Sequence, residues 1–141
     1  MQVQPYLFFE GRCEEALAFY REKLGAEVDL MMRYKESPDT QMNPCVDRPD
    51  MAEKIMHVAF RIGATTLMAS DGMNSGNPSF HGFSLSLGPS NVAEADRLFN
   101  ALAEGGQVQM PLTQTFFSPR FGMVADRFGV SWMIVVPAET Q

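Results

Sequence analysis

Few side chains in this sequence could carry out chemistry, and its two histidines, His57 and His81, are the first to consider. Imidazole can exchange a proton near neutral pH and can bind a metal ion. His57 lies within an apolar run, where a histidine is more often a hydrogen-bonded structural residue, and His81 lies in a glycine-rich segment. His57 and the carboxylate of Asp71 are therefore the candidates for orienting a ligand or for acid–base chemistry.

The motifs of several common enzyme classes are absent from the sequence. It contains no phosphate loop of the GxGxxG or GxxxxGK[ST] type, no His-Glu-x-x-His helix and no paired Cys-x-x-Cys. No serine lies in a nucleophile elbow. The two cysteines, Cys13 and Cys45, do not make a disulfide framework, which indicates a reducing cytoplasm. Cys45 has no cationic neighbours closer than Lys35 and Arg48, which favours an inert thiol.

The elements that must position these side chains occur twice. Met56–Ala69 consists of two apolar stretches joined at Gly63, a pattern typical of a β-hairpin. Met123–Val135 repeats the pattern at a constant offset, which predicts a chain built from two copies of one unit. The matched pairs are Val58 with Val124, Ala59 with Ala125, Arg61 with Arg127, Gly63 with Gly129 and Leu67 with Met133.

A helix and two further strands complete each copy. The first helix has apolar residues at spacings of three and four and ends at Gly25, and the second is capped by Asn91 with Glu94 three residues later. We therefore predict an α+β fold: two βαβββ modules forming a curved mixed sheet around a central cleft, with the helices outside. The first module spans about 1–71, a linker 72–82 and the second module about 83–137.

Bulk composition is typical of a globular protein. The 141 residues are 45% hydrophobic and 20% charged, enough for a single domain. The net charge of −6 argues against non-specific binding to nucleic acid or to an anionic membrane. The start of the chain lacks the features of a signal peptide and no stretch is long enough for a membrane span, so a cytoplasmic location is expected.

The segment 35–52 carries three prolines, which predicts a loop rather than a regular element. A functional loop and a plain surface insertion are both open at this point.

The order of elements, with Phe19-Tyr20 in the first helix followed by Leu24-Gly25, resembles the vicinal oxygen chelate superfamily, and within it the PhnB-like branch. This superfamily includes glyoxalases, extradiol dioxygenases and antibiotic-binding resistance proteins. The resemblance covers nearly the whole chain and implies the fold more specifically than the function. The residues that carry it are Ala16–Tyr20, Leu24-Gly25, Met56-His57, Leu67–Asp71, Phe121-Gly122, Asp126, Phe128–Val130 and Trp132.

The resemblance also implies where a metal would bind. Metal enzymes of the superfamily place His or Glu at one point in each of four strands, and these points match Pro5, Leu67, Met133 and a position near Phe83. None of these residues has the imidazole or carboxylate that divalent metals prefer. We therefore expect no cofactor, and a divalent metal only if it is held unconventionally.

Two hypotheses follow for the function. The first is a metal-free protein that binds a small organic molecule in the cleft. With Leu67 and Met133 pointing inward, strand alternation brings Ala69 and Ser131 inward as well and turns Trp132 toward a helix. The expected site residues are Leu7, Phe9, His57, Leu67, Ala69, Asp71, Leu85, Phe116, Phe117, Ser131 and Met133. Phe116 and Phe117 are either a lid over the ligand or ordinary packing, and both interpretations stay open.

The second hypothesis is an enzyme that uses His57 or Asp71 as a general base, with or without a divalent metal. Some members of the branch carry a label that links them to demethylubiquinone methyltransferase, but the sequence lacks a Gly-rich nucleotide loop to support that activity. The expected partners are a small-molecule ligand and a second copy of the chain, because superfamily members commonly dimerise and open sheet edges need covering. Nucleic acid and membranes are not expected partners.

Overall fold

The structure is a computed structural model that describes residues 1–38 and 48–138. These residues form two compact units, Met1–Pro78 and Ser79–Gln141, and the boundary falls inside the segment 72–82. Cys45 and the middle of the 35–52 loop lie outside the described residues. Two short 3₁₀ helices, Tyr34–Glu36 and Pro49–Met51, lie at the two ends of that loop. The three prolines had predicted a segment without regular structure.

The first unit is a four-stranded sheet with one α-helix. Its elements are β1 (Tyr6–Phe8), α1 (Cys13–Leu24), β2 (Glu27–Arg33), β3 (Ile55–Ile62) and β4 (Thr65–Ser70). The strand order is β1-β4-β3-β2. β1 runs parallel to β4, and the other neighbours are antiparallel.

The second unit repeats this topology. Its elements are β5 (Leu85–Leu87), α2 (Val92–Ala103), β6 (Gln107–Thr113), β7 (Phe121–Ala125) and β8 (Ser131–Val135). The strand order is β5-β8-β7-β6, with β5 parallel to β8. The α+β class and the two βαβββ modules are therefore confirmed.

Two helix ends follow the signals in the sequence. Gly25 ends α1 with a left-handed φ of 69°, and the Asn91 side chain accepts a 2.8 Å hydrogen bond from the amide of Glu94 at the start of α2. At the start of α1, Arg12 makes no side-chain cap, and the cap comes from Asp71 instead. Neither α1 nor α2, the two α-helices of the described residues, is long and apolar enough to cross a membrane.

Each sheet buries one face under its helix. In the first unit, Tyr20 of α1 stacks on Phe60 of β3, with ring centroids 6.4 Å apart. In the second unit, Phe99 of α2 lies over Gly122 of β7, so closely that a side chain at Gly122 would collide with it. We call these sides the helix faces. The other side of each sheet, the opposite face, carries half-exposed side chains.

Candidate functional site

Four of the predicted site residues form the core of the first unit. Leu67 pairs with Phe60, and Ala69 pairs with both Val58 and Leu7, so these side chains share the helix face with Phe60. None of the predicted residues on this face is more than 4% exposed. Phe9 follows on the same side and is fully buried, with its ring 6.2 Å from that of Tyr20. Leu7, Phe9, Leu67 and Ala69 therefore cannot reach a ligand on the opposite face.

The expected alternation was inverted in β4 because the two hairpin turns differ in length. β3 and β4 are joined by two residues, whereas residues 126–130 join β7 and β8. Val58 pairs with Ala69, while its counterpart Val124 pairs with Trp132. The constant offset between the copies thus ends at the turn, and the structural counterpart of Ala69 is Trp132.

Asp71 is a structural carboxylate. It is 1% exposed, and its Oδ1 accepts hydrogen bonds from the amides of Gly11 and Cys13 at 3.1 and 2.8 Å. Its Oδ2 accepts a 2.7 Å bond from the amide of Ile55. The side chain therefore ties the start of α1 to β3, and its oxygens are already used as acceptors by the backbone.

His57 has a different setting, on the opposite face of the first sheet. The hydroxyl of Tyr6 lies 3.1 Å from Nδ1 of His57, and the two ring centroids are 5.6 Å apart. Phe8, which is 53% exposed, extends the cluster with its ring 4.9 Å from that of Tyr6. Met68 pairs with Tyr6 across β1 and β4 and shares this face. Tyr6, Phe8, His57 and Met68 form what we call the aromatic–imidazole cluster.

Sequence analysis missed Tyr6, Phe8 and Met68 as site residues. In β1 all three side chains are apolar or aromatic, so no polar alternation distinguishes one face from the other. The register with β4 supplies that information, since Tyr6 pairs with Met68 and Leu7 with the buried Ala69.

In the second unit, Ser131 and Met133 lie on the opposite face, and Trp132 is buried on the helix face. Leu85 pairs with Trp132 and therefore lies on the helix face, against expectation. A chain of polar side chains crosses the opposite face: the hydroxyl of Ser84 donates to Ser131 at 2.8 Å, and Ser131 donates to the amide oxygen of Gln109 at 2.9 Å.

The two opposite faces differ in their polar groups. By the registers, Ser84 and Ser131 of the second unit occupy the places that Tyr6 and Met68 hold in the first. Met123 occupies the place of His57, because each precedes the matched valine of its strand. At these matched positions of the two opposite faces, the first unit therefore carries an imidazole and the second a thioether.

Phe116 and Phe117 lie in the loop before β7. The hydroxyl of Thr115 accepts hydrogen bonds from the amides of Phe117 and Ser118, which fixes the loop. Phe117 packs edge-on against Phe121 at 5.1 Å, whereas Phe116 is fully exposed. The ring of Phe116 contacts Phe117 edge-on at 5.2 Å but stays in solvent, so packing accounts for Phe117 more fully than for Phe116.

The residues present do not fit a divalent metal site of the usual kind. Within residues 1–38 and 48–138, no three His, Cys, Asp or Glu side chains are grouped closely enough to hold a metal ion. Leu67, one of the four positions implied by the resemblance, points into the core. The opposite-face positions next to three of the four are Tyr6, Met68 and Ser84, none of which offers imidazole or carboxylate.

Two other features are weaker site candidates. Burial raises the pKa of the Cys13 thiol well above its usual value of 9.0, and the charges of Asp71 and Glu14 add to the shift, so the thiol stays protonated and unreactive. A surface pocket of about 170 Å³ is lined by Gly25, Glu27, Arg61 and Gly63. Arg61 is already paired with Asp29 and Glu27, so it has little charge to offer a ligand.

Comparison with known proteins gives relatives over almost the full length. The family model described as 3-demethylubiquinone-9 3-methyltransferase matches residues 1–135. Protein YjdN of Escherichia coli (strain K12) is 38% identical over 96% of this chain and 95% of its own length.

Two solved structures extend the comparison. Protein PA1353 from Pseudomonas aeruginosa is 42% identical over 99% of both chains, with a TM-score of 0.83. A PhnB protein from Bacillus cereus is 29% identical over 96% of this chain and 99% of its own, with a TM-score of 0.77. The chain therefore belongs to the 3-demethylubiquinone-9 3-methyltransferase family, in the PhnB-like branch of the vicinal oxygen chelate superfamily.

Proposed function

We propose that this protein binds a small organic molecule on the opposite face of its first sheet, at the aromatic–imidazole cluster, without the metal site of its superfamily. The observation that carries the proposal is the position of His57, half-exposed and hydrogen-bonded to Tyr6 beside the exposed ring of Phe8. Apolar and aromatic walls with a few placed polar groups are the usual composition of a small-molecule site.

The chemistry of the cluster supports binding of a flat molecule. Tyr6 and Phe8 present ring surfaces, and Met68 supplies a thioether that adapts to the shape of an aromatic neighbour. His57 supplies a polar group that can fix the orientation. Asp71, expected to share that role, is committed to the backbone, and we leave it out of the proposed site.

A second candidate function is an enzyme in which His57 acts as a general base. The observation in its favour is that His57 Nε2 has no hydrogen-bond partner among the described residues. A base must reach the proton that it abstracts, and Nε2 can accept one only in the tautomer in which Nδ1–H donates to the Tyr6 hydroxyl. An enzyme of this kind turns its ligand over in a His57-dependent manner, whereas a binding protein releases the ligand unchanged.

Fragment screening by NMR tests the proposal. Aromatic fragments should perturb the methyl resonance of Met68 and the ring resonances of Phe8, and Phe8→Ala should weaken their binding about tenfold, roughly 1.4 kcal/mol. Phe83→Ala is the matched control, because Phe83 is 47% exposed and lies in the second unit. Fragments that bind with equal affinity to wild type and Phe8→Ala would place the site elsewhere. Recovery of an altered fragment would favour the enzyme.

We also propose that the protein is a homodimer. The outer strands β2 and β6 each leave one edge unpaired within their own sheets, and four of their exposed side chains are large and apolar: Leu30, Met31, Val108 and Met110. Unpaired edges and exposed apolar side chains are surfaces that proteins commonly cover by association. Light scattering should give twice the chain mass at micromolar concentration, and a monomer mass there would contradict the proposal.

A further inference from the structure

We infer that the aromatic–imidazole cluster, if it is the binding site proposed above, takes a planar ring that carries a hydrogen-bond-accepting oxygen, to which the Nε2–H of His57 donates. The inference deepens the proposed function by naming the chemical class of the ligand. It rests on the direction of one hydrogen bond, on the exposure of one nitrogen and on the geometry of the neighbouring rings.

The first step concerns the hydrogen bond between Tyr6 and His57, 3.1 Å long between the hydroxyl and Nδ1. A phenol is a better donor than acceptor, and a neutral imidazole has one accepting and one donating nitrogen. The favoured arrangement therefore has the Tyr6 hydroxyl donating to Nδ1, which leaves the proton on Nε2. When the imidazole is protonated, both nitrogens carry hydrogens. Nε2 is thus a donor in both charge states.

The second step concerns the surroundings of Nε2. It has no hydrogen-bond partner within residues 1–38 and 48–138. The His57 side chain is half-exposed, and Nε2 is not a fully buried atom, so it reaches solvent. A donor that is pre-oriented by Tyr6 and open to solvent can form a hydrogen bond with a bound molecule without breaking one inside the protein.

The third step concerns the shape of the ligand. The ring of Tyr6 is tilted by 37° to that of Phe8 and by 32° to that of His57, with centroid distances of 4.9 and 5.6 Å. Neighbouring aromatic faces of this kind favour a flat partner. The net charge of −6 disfavours a polyanion at long range, so the accepting oxygen is a carbonyl or a singly ionised group.

The experiment uses the full chain, labelled with ¹⁵N at histidine, and three probes of similar size. Long-range ¹H–¹⁵N spectra should show His57 as the Nε2–H tautomer. Acetophenone has a carbonyl oxygen that accepts a hydrogen bond, whereas α-methylstyrene can neither accept nor donate one. Acetophenone should therefore bind about fivefold more tightly, the difference expected from one hydrogen bond. Benzylammonium, which only donates, should bind more weakly than acetophenone.

Tyr6→Phe tests the origin of this preference. It keeps the ring and removes the hydroxyl, so the Nδ1–H tautomer should appear and the preference for acetophenone should fall to less than twofold. Tyr34→Phe is the matched control, because its hydroxyl donates to the carbonyl of Gly72 and not to His57.

The outcomes separate the inference from the proposed function. Probes that perturb Phe8 and Met68 without a preference for acetophenone would overturn the inference and leave the binding site standing. An Nδ1–H tautomer in the wild type would also overturn the inference. Probes that perturb none of the cluster resonances would overturn both. A preference that survives in Tyr6→Phe would refute the proposed role of Tyr6 in setting the tautomer.

Discussion

Asp71 holds the amide of Cys13 through a 2.8 Å hydrogen bond, so that a residue just after β4 caps a helix 58 positions earlier in the sequence. The same carboxylate also holds the amides of Gly11 and Ile55. One side chain therefore joins the start of α1 to β3, and its loss should be felt in stability rather than in ligand binding.

We predict that Asp71→Ala lowers the free energy of unfolding by about 3 kcal/mol or more, because three buried or part-buried amides lose a charged acceptor. Urea denaturation measures the change. Asp50→Ala is the matched control, since the Asp50 side chain is 54% exposed, and it should change stability by less than about 0.5 kcal/mol. Equal effects of the two substitutions would contradict the structural role of Asp71.

Cys13 should make stability depend on alkaline pH. The folded thiol has a pKa raised above 9.0, so above that pH the unfolded chain loses the thiol proton while the folded chain keeps it. Stability from this group is then complete below pH 9.0 and falls above it, by up to about 1.4 kcal/mol per pH unit. Urea denaturation between pH 8 and pH 10.5 should show a weaker decline in Cys13→Ala than in wild type. Parallel declines would indicate that the thiol titrates alike in both states.

Gly122 is required by the close approach of α2 to β7. A Cβ at this position would lie 2.9 Å from Leu112 Cδ2 and 3.0 Å from Phe99 Cε2. Gly122→Ala should therefore cost about 1–3 kcal/mol through overpacking, measured as a loss in urea midpoint. In Gly88→Ala the nearest atom would be the carbonyl oxygen of Val135 at 3.9 Å, so this control should be neutral or slightly stabilising. A neutral Gly122→Ala would show that α2 can move away from the sheet at little cost.

The two phenylalanines of the loop before β7 should respond differently to truncation. Phe117→Ala should lower stability by about 1 kcal/mol, because it removes the edge-on contact with Phe121. Phe116→Ala should change it by less than about 0.5 kcal/mol, because that ring is fully exposed. Thermal denaturation of the two variants provides the comparison. Equal losses would mean that the contact of Phe116 with Phe117 contributes as much to stability as that of Phe117 with Phe121.

The repeat, the order of elements and two helix ends could be predicted from the sequence because they depend on local signals. Gly25 and Asn91 are recognisable by type, and the apolar runs around Gly63 and Gly129 show the hairpins. The alignment of the copies beyond the turn could not be predicted, because the turn lengths are set by pairing between strands rather than by nearby residues.

The candidate site depends on the same pairing. A one-residue change of register moves every side chain of a strand to the other face, so the inverted alternation in β4 moved Leu67 and Ala69 from the expected pocket to the core. His57 was identified from its residue type, but its partner Tyr6 lies 51 positions away and becomes visible only through the register of β1 with β4. Asp71 was predicted as a site residue because the residue type alone does not show whether a carboxylate is accessible or is buried with backbone partners.

The contrast between the opposite faces of the two units has an evolutionary consequence. Leu7 and Leu85, which hold corresponding places on the helix faces, are the same residue type, whereas Tyr6 corresponds to Ser84 and His57 to Met123. A gene duplication that doubles a βαβββ unit also doubles any surface that the ancestor used. The copies can then diverge on either face, as at Ala69 and Trp132 on the helix faces and at His57 and Met123 on the opposite faces. The present chain has the form of such a fusion, with the imidazole of His57 on the opposite face of one copy and a hydroxyl–amide chain on that of the other.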